Sequence, residues 1–111
     1  MIIRSLELKN FRNFTQKQIN FSGSINVLFG FNGQGKTNLL EAISVSCLSK
    51  SFRTRNDGDL VQYDKEKLQI STNIALDNNV EKNIKVIYSR SNGKNIEIDH
   101  TKIKSIERNK P

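Results

Sequence analysis

The sequence predicts an α/β fold of the P-loop NTPase class, with a phosphate-loop helix on a mixed sheet and an antiparallel meander beside it. Three observations carry this. Gly30-Phe31-Asn32-Gly33-Gln34-Gly35-Lys36-Thr37 fits the pattern G-x-x-x-x-G-K-[ST] at every required position. An apolar run precedes it and a helical period follows it. Further on, residues 67–76 form a long run of period two, with turn signals and two more alternating segments behind them.

Taken in order, Leu6 and Leu8 alternate with Ser5, Glu7 and Lys9, which predicts a half-buried strand over residues 2–9. Asn10-Phe11-Arg12-Asn13 then turns the chain. Ile19 and Phe21 share one face of a short second strand over 16–21, closed by the loop residues Ser22-Gly23-Ser24. Residues 25–29 are different in kind, because Val27-Leu28-Phe29 is continuously apolar and ends at a glycine, as a central strand covered on both faces does.

A helix is expected from residue 36 to about 48, with Leu39, Leu40, Ile43 and Cys47 three or four apart as its buried stripe. Residues 50–58 read as a basic, polar connection. The meander then follows from the long alternating run, a turn at Asp77-Asn78-Asn79, alternation over 80–88, a hairpin turn at Asn92-Gly93 and a third strand marked by Ile96 and Ile98. Residues 101–111 carry Lys102, Lys104, Arg108 and Lys110 and are expected to bury nothing.

With 111 residues the chain has room for one domain, so residues 1–111 are read as a single nucleotide-binding lobe. The 18 Lys+Arg against 11 Asp+Glu give a net charge of +7, which suits polyanionic partners. Met1-Ile2-Ile3-Arg4-Ser5 breaks off too soon for a secretory signal, which needs an apolar core of about 7 to 15 residues, and no apolar run is long enough to span a membrane. Cys47 is the only cysteine, so an internal disulfide or cysteine-based metal cluster is excluded and a reducing, cytoplasmic setting is expected.

Each position of the loop has a physical task. The glycines let the backbone approach phosphates closely, so that successive N–H groups form an anion-binding nest. Lys36 would bring its ammonium to the β- and γ-phosphates of ATP, and Thr37 would offer a hydroxyl to Mg²⁺. The positive end of the helix dipole points at the same anion. Hydrolysis in such proteins also needs an acid at the end of a second buried strand and a residue that positions water. Asp77 is the sole candidate for that acid, and it is read as a turn residue. The chain is expected to bind a triphosphate but not to cleave it unaided.

Several segments together resemble the start of the RecF family of bacterial replication and recombinational repair ATPases. They are Asn10-Phe11-Arg12-Asn13-Phe14, Ile25-Asn26-Val27-Leu28, the loop continued through Asn38-Leu39-Leu40-Glu41-Ala42-Ile43, and Ser51-Phe52-Arg53-Thr54. The resemblance is ordered from residue 1 to about 62 and looser to about 106. It implies an ABC-type head of the SMC-like kind, of which this chain is the N-terminal lobe, pairing with a second copy around ATP. It further implies contact with double- and single-stranded DNA, work with RecO and RecR in loading recombinase at single-stranded gaps, and a place in the DNA-damage and SOS response.

The family's Q-loop, signature segment and Walker B acids have no counterpart here, and Asp99-His100-Thr101 lacks an expected glycine. The sequence is therefore read as a cut-down piece or a truncated gene product.

By the same resemblance Arg12 and Asn13 come near the nucleotide, as does Asn38 at the end of the loop motif. Lys50, Arg53 and Arg55 form a basic cluster suited to DNA phosphates or simply to solvent, with Phe52 as an aromatic neighbour. Glu41 is read as a solvated helix-surface residue, His100 as a turn residue and Cys47 as a small buried one. Two other functions fit parts of the pattern: a P-loop phosphotransferase of a small molecule, and a basic nucleic-acid-binding module indifferent to nucleotide.

Overall fold

The computed structural model describes residues 2–21, 34–78, 80–99 and 101–103. The expected central strand over 25–29, the loop residues Gly30, Phe31, Asn32 and Gly33, and His100 lie outside them. So do the side chains of Gln34, Lys36, Thr101, Lys102 and Ile103.

Among the described residues six strands form one sheet: β1 (Ile2–Phe11), β2 (Phe14–Asn20), β3 (Lys67–Ala75), β4 (Glu81–Ser89), β5 (Gly93–Ile98) and β6 (Thr101–Ile103), in the order β2-β1-β3-β4-β5-β6. Every pairing among the described strands is antiparallel, and the strand expected to make the sheet mixed is the one over 25–29. One helix, α1 (Gln34–Leu48), packs on the sheet, and a short 3₁₀ turn, Asp57–Leu60, follows it. No described helix is long and apolar enough to cross a membrane, which says nothing of β-barrels.

Period-two patterning sorts the sheet into two faces. On the core face Leu6 pairs with Ile19 and Thr72, Leu8 with Ile70, Ile70 with Val86, and Val86 with Ile96. The other face carries rows such as Gln18, Glu7, Ser71, Lys85 and Glu97, which water solvates. Leu6, Leu8 and Ile70 are fully buried, and each such side chain contributes about 2 kcal/mol of transfer free energy.

The helix presents a different stripe from the expected one. Leu39, Ala42 and Val45 are buried against the sheet, whereas Leu40 is 39% exposed and Ile43 and Cys47 are only partly covered. The helix is apolar on two sides, so spacing alone could not say which side meets the sheet. Burial pushes the Cys47 thiol pKa up, though the side chain is half-buried and not enclosed.

A buried polar link ties α1 to the sheet: the Thr72 hydroxyl donates to Ser46 Oγ at 2.7 Å, and Ser46 Oγ donates to the Ala42 carbonyl at 3.0 Å. At the far end of the helix the Lys94 ammonium donates to the Ser49 carbonyl and pairs with Asp57 at 3.1 Å, placing a cation where the helix dipole is negative.

The segment expected to bury nothing begins with β6, in which Ile103 pairs with Ile96. The intervening turn forms without glycine because Asp99 takes the left-handed conformation (φ 52°), accepts the Asn83 N–H and pairs with Lys82 at 3.1 Å. Asp77 lies in the β3–β4 turn, as read from sequence.

Candidate functional site

The β1–β2 hairpin turns on two residues, Arg12 and Asn13, between the paired Phe11 and Phe14. Arg12 adopts φ 52°, a left-handed conformation that costs a side-chain-bearing residue about 1 kcal/mol. The turn is held from outside. Arg12 N–H donates to the Leu60 carbonyl at 2.8 Å, Gln62 N–H donates to the Asn10 carbonyl at 2.7 Å, and Phe11 bridges to Val61. Segments far apart in sequence thus fix the direction in which Arg12 leaves the backbone.

It leaves toward α1. The guanidinium forks onto Glu41, with Nε donating to Oε1 and Nη2 to Oε2, each at 2.8 Å. Glu41 is fully buried, which corrects its reading as a solvated surface residue. Ser51 Oγ donates to Oε2 at 2.6 Å and Arg53 Nη1 to Oε1 at 3.3 Å, so the carboxylate accepts four hydrogen bonds from three residues on two segments. Burial drives its pKa upward, but the bonds from Arg12 and Ser51 and the charges of Arg12 and Arg53 outweigh that, leaving the pKa below the ordinary value. The bond to Glu41 in turn raises the pKa of Arg12.

A second chain of bonds runs alongside. Asn38 Nδ2 donates to Asn13 Oδ1 at 2.8 Å, and Asn38 Oδ1 accepts from Arg53 Nη1 at 2.8 Å. Asn38 is buried, with both ends of its amide engaged by protein, so in this state it orders its neighbours. Arg12, Asn13, Asn38 and Arg53 line one cleft of about 810 Å³, together with Asp59, Gln62, Arg90 and the almost fully exposed Tyr63.

The structure therefore brings Arg12, Asn13 and Asn38 together beside the start of α1, where Asn38 directly follows Thr37, the loop's last residue. It divides the basic cluster. Lys50 and Arg55 are exposed, as is Phe52, while the Arg53 guanidinium turns inward and its side chain is 29% exposed. Sequence reasoning missed Glu41, Ser51, Tyr63 and Arg90. A signal for Glu41 existed: it is the single acid in a fifteen-residue helix of otherwise neutral and apolar residues apart from Lys36. A lone charge in such a helix calls for a partner.

Among the described residues no group of three or more His, Cys, Asp or Glu could hold a metal ion. Three guanidiniums, of Arg12, Arg53 and Arg90, against the carboxylate of Asp59 in the wall and that of Glu41 behind it leave the cleft with excess positive charge, which suits an anion.

The AAA domain family matches residues 5–110 of the chain. The DNA replication and repair protein RecF of Ruminiclostridium cellulolyticum is 38% identical over 106 residues, which cover 96% of this chain and 28% of that protein. A solved structure of the recombination mediator protein RecF with ATP superimposes with a TM-score of 0.83 at 30% identity, over 94% of this chain and 28% of that one. An SMC ATPase structure superimposes with a TM-score of 0.77 at 20% identity, over 93% of this chain and 72% of that one, a likeness of fold. The fold is thus that of a P-loop NTPase head of the SMC-like kind. The chain spans 28% of the length of the RecF relatives it matches here.

Proposed function

Since this chain belongs to the AAA domain family and corresponds to the N-terminal portion of RecF proteins, we propose that it is the ATP-binding part of a RecF-like DNA repair protein. In that reading residues 1–111 are a nucleotide-binding lobe of an incomplete ATPase domain. The protein as a whole binds DNA and helps load recombinase at single-stranded gaps, with RecO and RecR as partners and an ATP-dependent homodimer as its working form. The cytoplasm is its setting.

The observation that carries the reading is the cleft beside the first turns of α1. Its wall holds three arginines, Arg12, Arg53 and Arg90, against the carboxylate of Asp59, and Thr37 lies one residue before the Asn38 that lines it. The backbone of Gly30, Phe31, Asn32, Gly33, Gln34 and Gly35 would wrap the phosphates and Lys36 would supply the mobile charge. Mg²⁺ would be held by the Thr37 hydroxyl together with the phosphates. Arg12 and Asn13 would reach the nucleotide from the hairpin, and Asn38 would hold them in place. Lys50 and Arg55, both exposed, are the better DNA contacts, and Arg53 is the residue shared between the two sites.

Calorimetric titration of the chain with MgATP tests this. Binding in the wild type that disappears in Lys36→Ala is the expected result, and equal behaviour of the two defeats the proposal. Affinity for duplex DNA that falls steeply with salt, yet ignores both ATP and Lys36→Ala, would favour the nucleotide-independent module instead.

A further inference from the structure

We infer that Glu41 is a positioning residue, whose carboxylate aims Arg12 and Arg53 at the cleft so that their surplus positive charge meets a phosphate-type anion there. This rests on the nucleotide-binding reading above.

Three features of the geometry support it. A carboxylate offers about four lone-pair sites, and Glu41 accepts four hydrogen bonds, two from Arg12 and one each from Ser51 and Arg53. A carboxylate so saturated has no free site for a metal ion, a water or a proton to be abstracted, so its role runs through its partners. The partners come from separate parts of the chain, Arg12 from the hairpin and Arg53 from the loop after α1, and both line the cleft. Finally, Arg12 holds a left-handed backbone that glycine or asparagine would adopt at less cost, which points to a need for its side chain.

Stability alone is a poor reason for the network. A buried ion pair is seldom better than well-packed apolar side chains of the same volume. A fixed pair of guanidiniums, by contrast, loses little freedom when an anion arrives, because the carboxylate has already immobilised them.

The test is a double-mutant cycle of Glu41→Gln and Arg12→Ala in the full chain, read as MgATP affinity, with Lys36→Ala as the control for nucleotide binding. Each single change is expected to weaken binding about tenfold. The pair together should also lose about tenfold, because both remove the same contact. Full additivity, or wild-type affinity in Glu41→Gln, overturns the inference. If Glu41→Gln does not fold, Glu41→Asp keeps the charge but shortens the reach and carries the same cycle.

A second measurement needs no nucleotide. The Arg12 Nε–H and Arg53 Nη1–H resonances should be dispersed and protected from exchange in the wild type, and both should shift toward free guanidinium values in Glu41→Gln, Arg12 the more because Asn38 also holds Arg53. Resonances unchanged by the substitution overturn the positioning role. If wild type and Lys36→Ala bind MgATP alike, the nucleotide reading alone fails, and these resonances still decide whether Glu41 holds the arginines.

Discussion

Arg12 and Glu41 meet through two parallel hydrogen bonds of 2.8 Å, fastening the tip of the β1–β2 hairpin to the second turn of α1. The carboxylate is fully buried and the Arg12 side chain is 22% exposed, so water screens the pair weakly. Arg12→Ala would leave Glu41 with Ser51 and Arg53 only. A loss of about 2 kcal/mol is expected, below the roughly 3 to 5 of a buried pair broken outright, because two donors remain. Urea unfolding measures it, and an unchanged midpoint would contradict the arrangement.

Acid should act on the same carboxylate. Its folded-state pKa lies below its ordinary value, so the stabilisation it brings is complete above the ordinary carboxylate range and is lost as pH falls through the folded value. Glu66 behaves in the same sense, held at about 2 by hydrogen bonds from Ser89 and Ser91. Urea midpoints measured from pH 6 downward should therefore fall on acidification, and the fall should be shallower in Glu41→Gln. Equal slopes for the two proteins would show that Glu41 is not responsible.

The Thr72–Ser46 link makes a sharper prediction about sign. Ser46→Ala leaves the buried Thr72 hydroxyl without its acceptor and should cost about 1 to 3 kcal/mol. Combining it with Thr72→Val removes the stranded hydroxyl, so the double variant should be more stable than Ser46→Ala alone. Thermal unfolding of the three variants decides, and a double variant weaker than the single would refute the bond.

Gly93 opens β5 at φ 82°, and a methyl group placed on it would meet nothing within 4 Å. The cost of Gly93→Ala is therefore backbone strain alone, about 1 to 2 kcal/mol, with no steric part. Gly93→Asn should recover some of it, since asparagine tolerates that conformation. A neutral Gly93→Ala would mean that the hairpin can turn another way.

Much of the sheet was legible because alternation is a local property. Leu68, Ile70, Thr72 and Ile74 share a face wherever their strand lies, and the Asn92-Gly93 turn carries its own backbone preference. The side of α1 that meets the sheet was not legible, since two apolar stripes compete and only the placement of β3 and β4 chooses Leu39, Ala42 and Val45. The β6 pairing escaped for a related reason: a three-residue strand has too few residues to show a period, and its partner decides it.

By itself the sequence determined the pattern of the loop, since glycines, one ammonium group and one hydroxyl at fixed spacing are properties of neighbours along the chain. It also determined the alternation that makes the strands. Only the tertiary structure decided that Arg12, Asn38, Glu41 and Arg53 form one bonded set. Charges and amides attract without regard to sequence separation, and whether a lone glutamate faces water or two arginines depends on what the fold lays beside it.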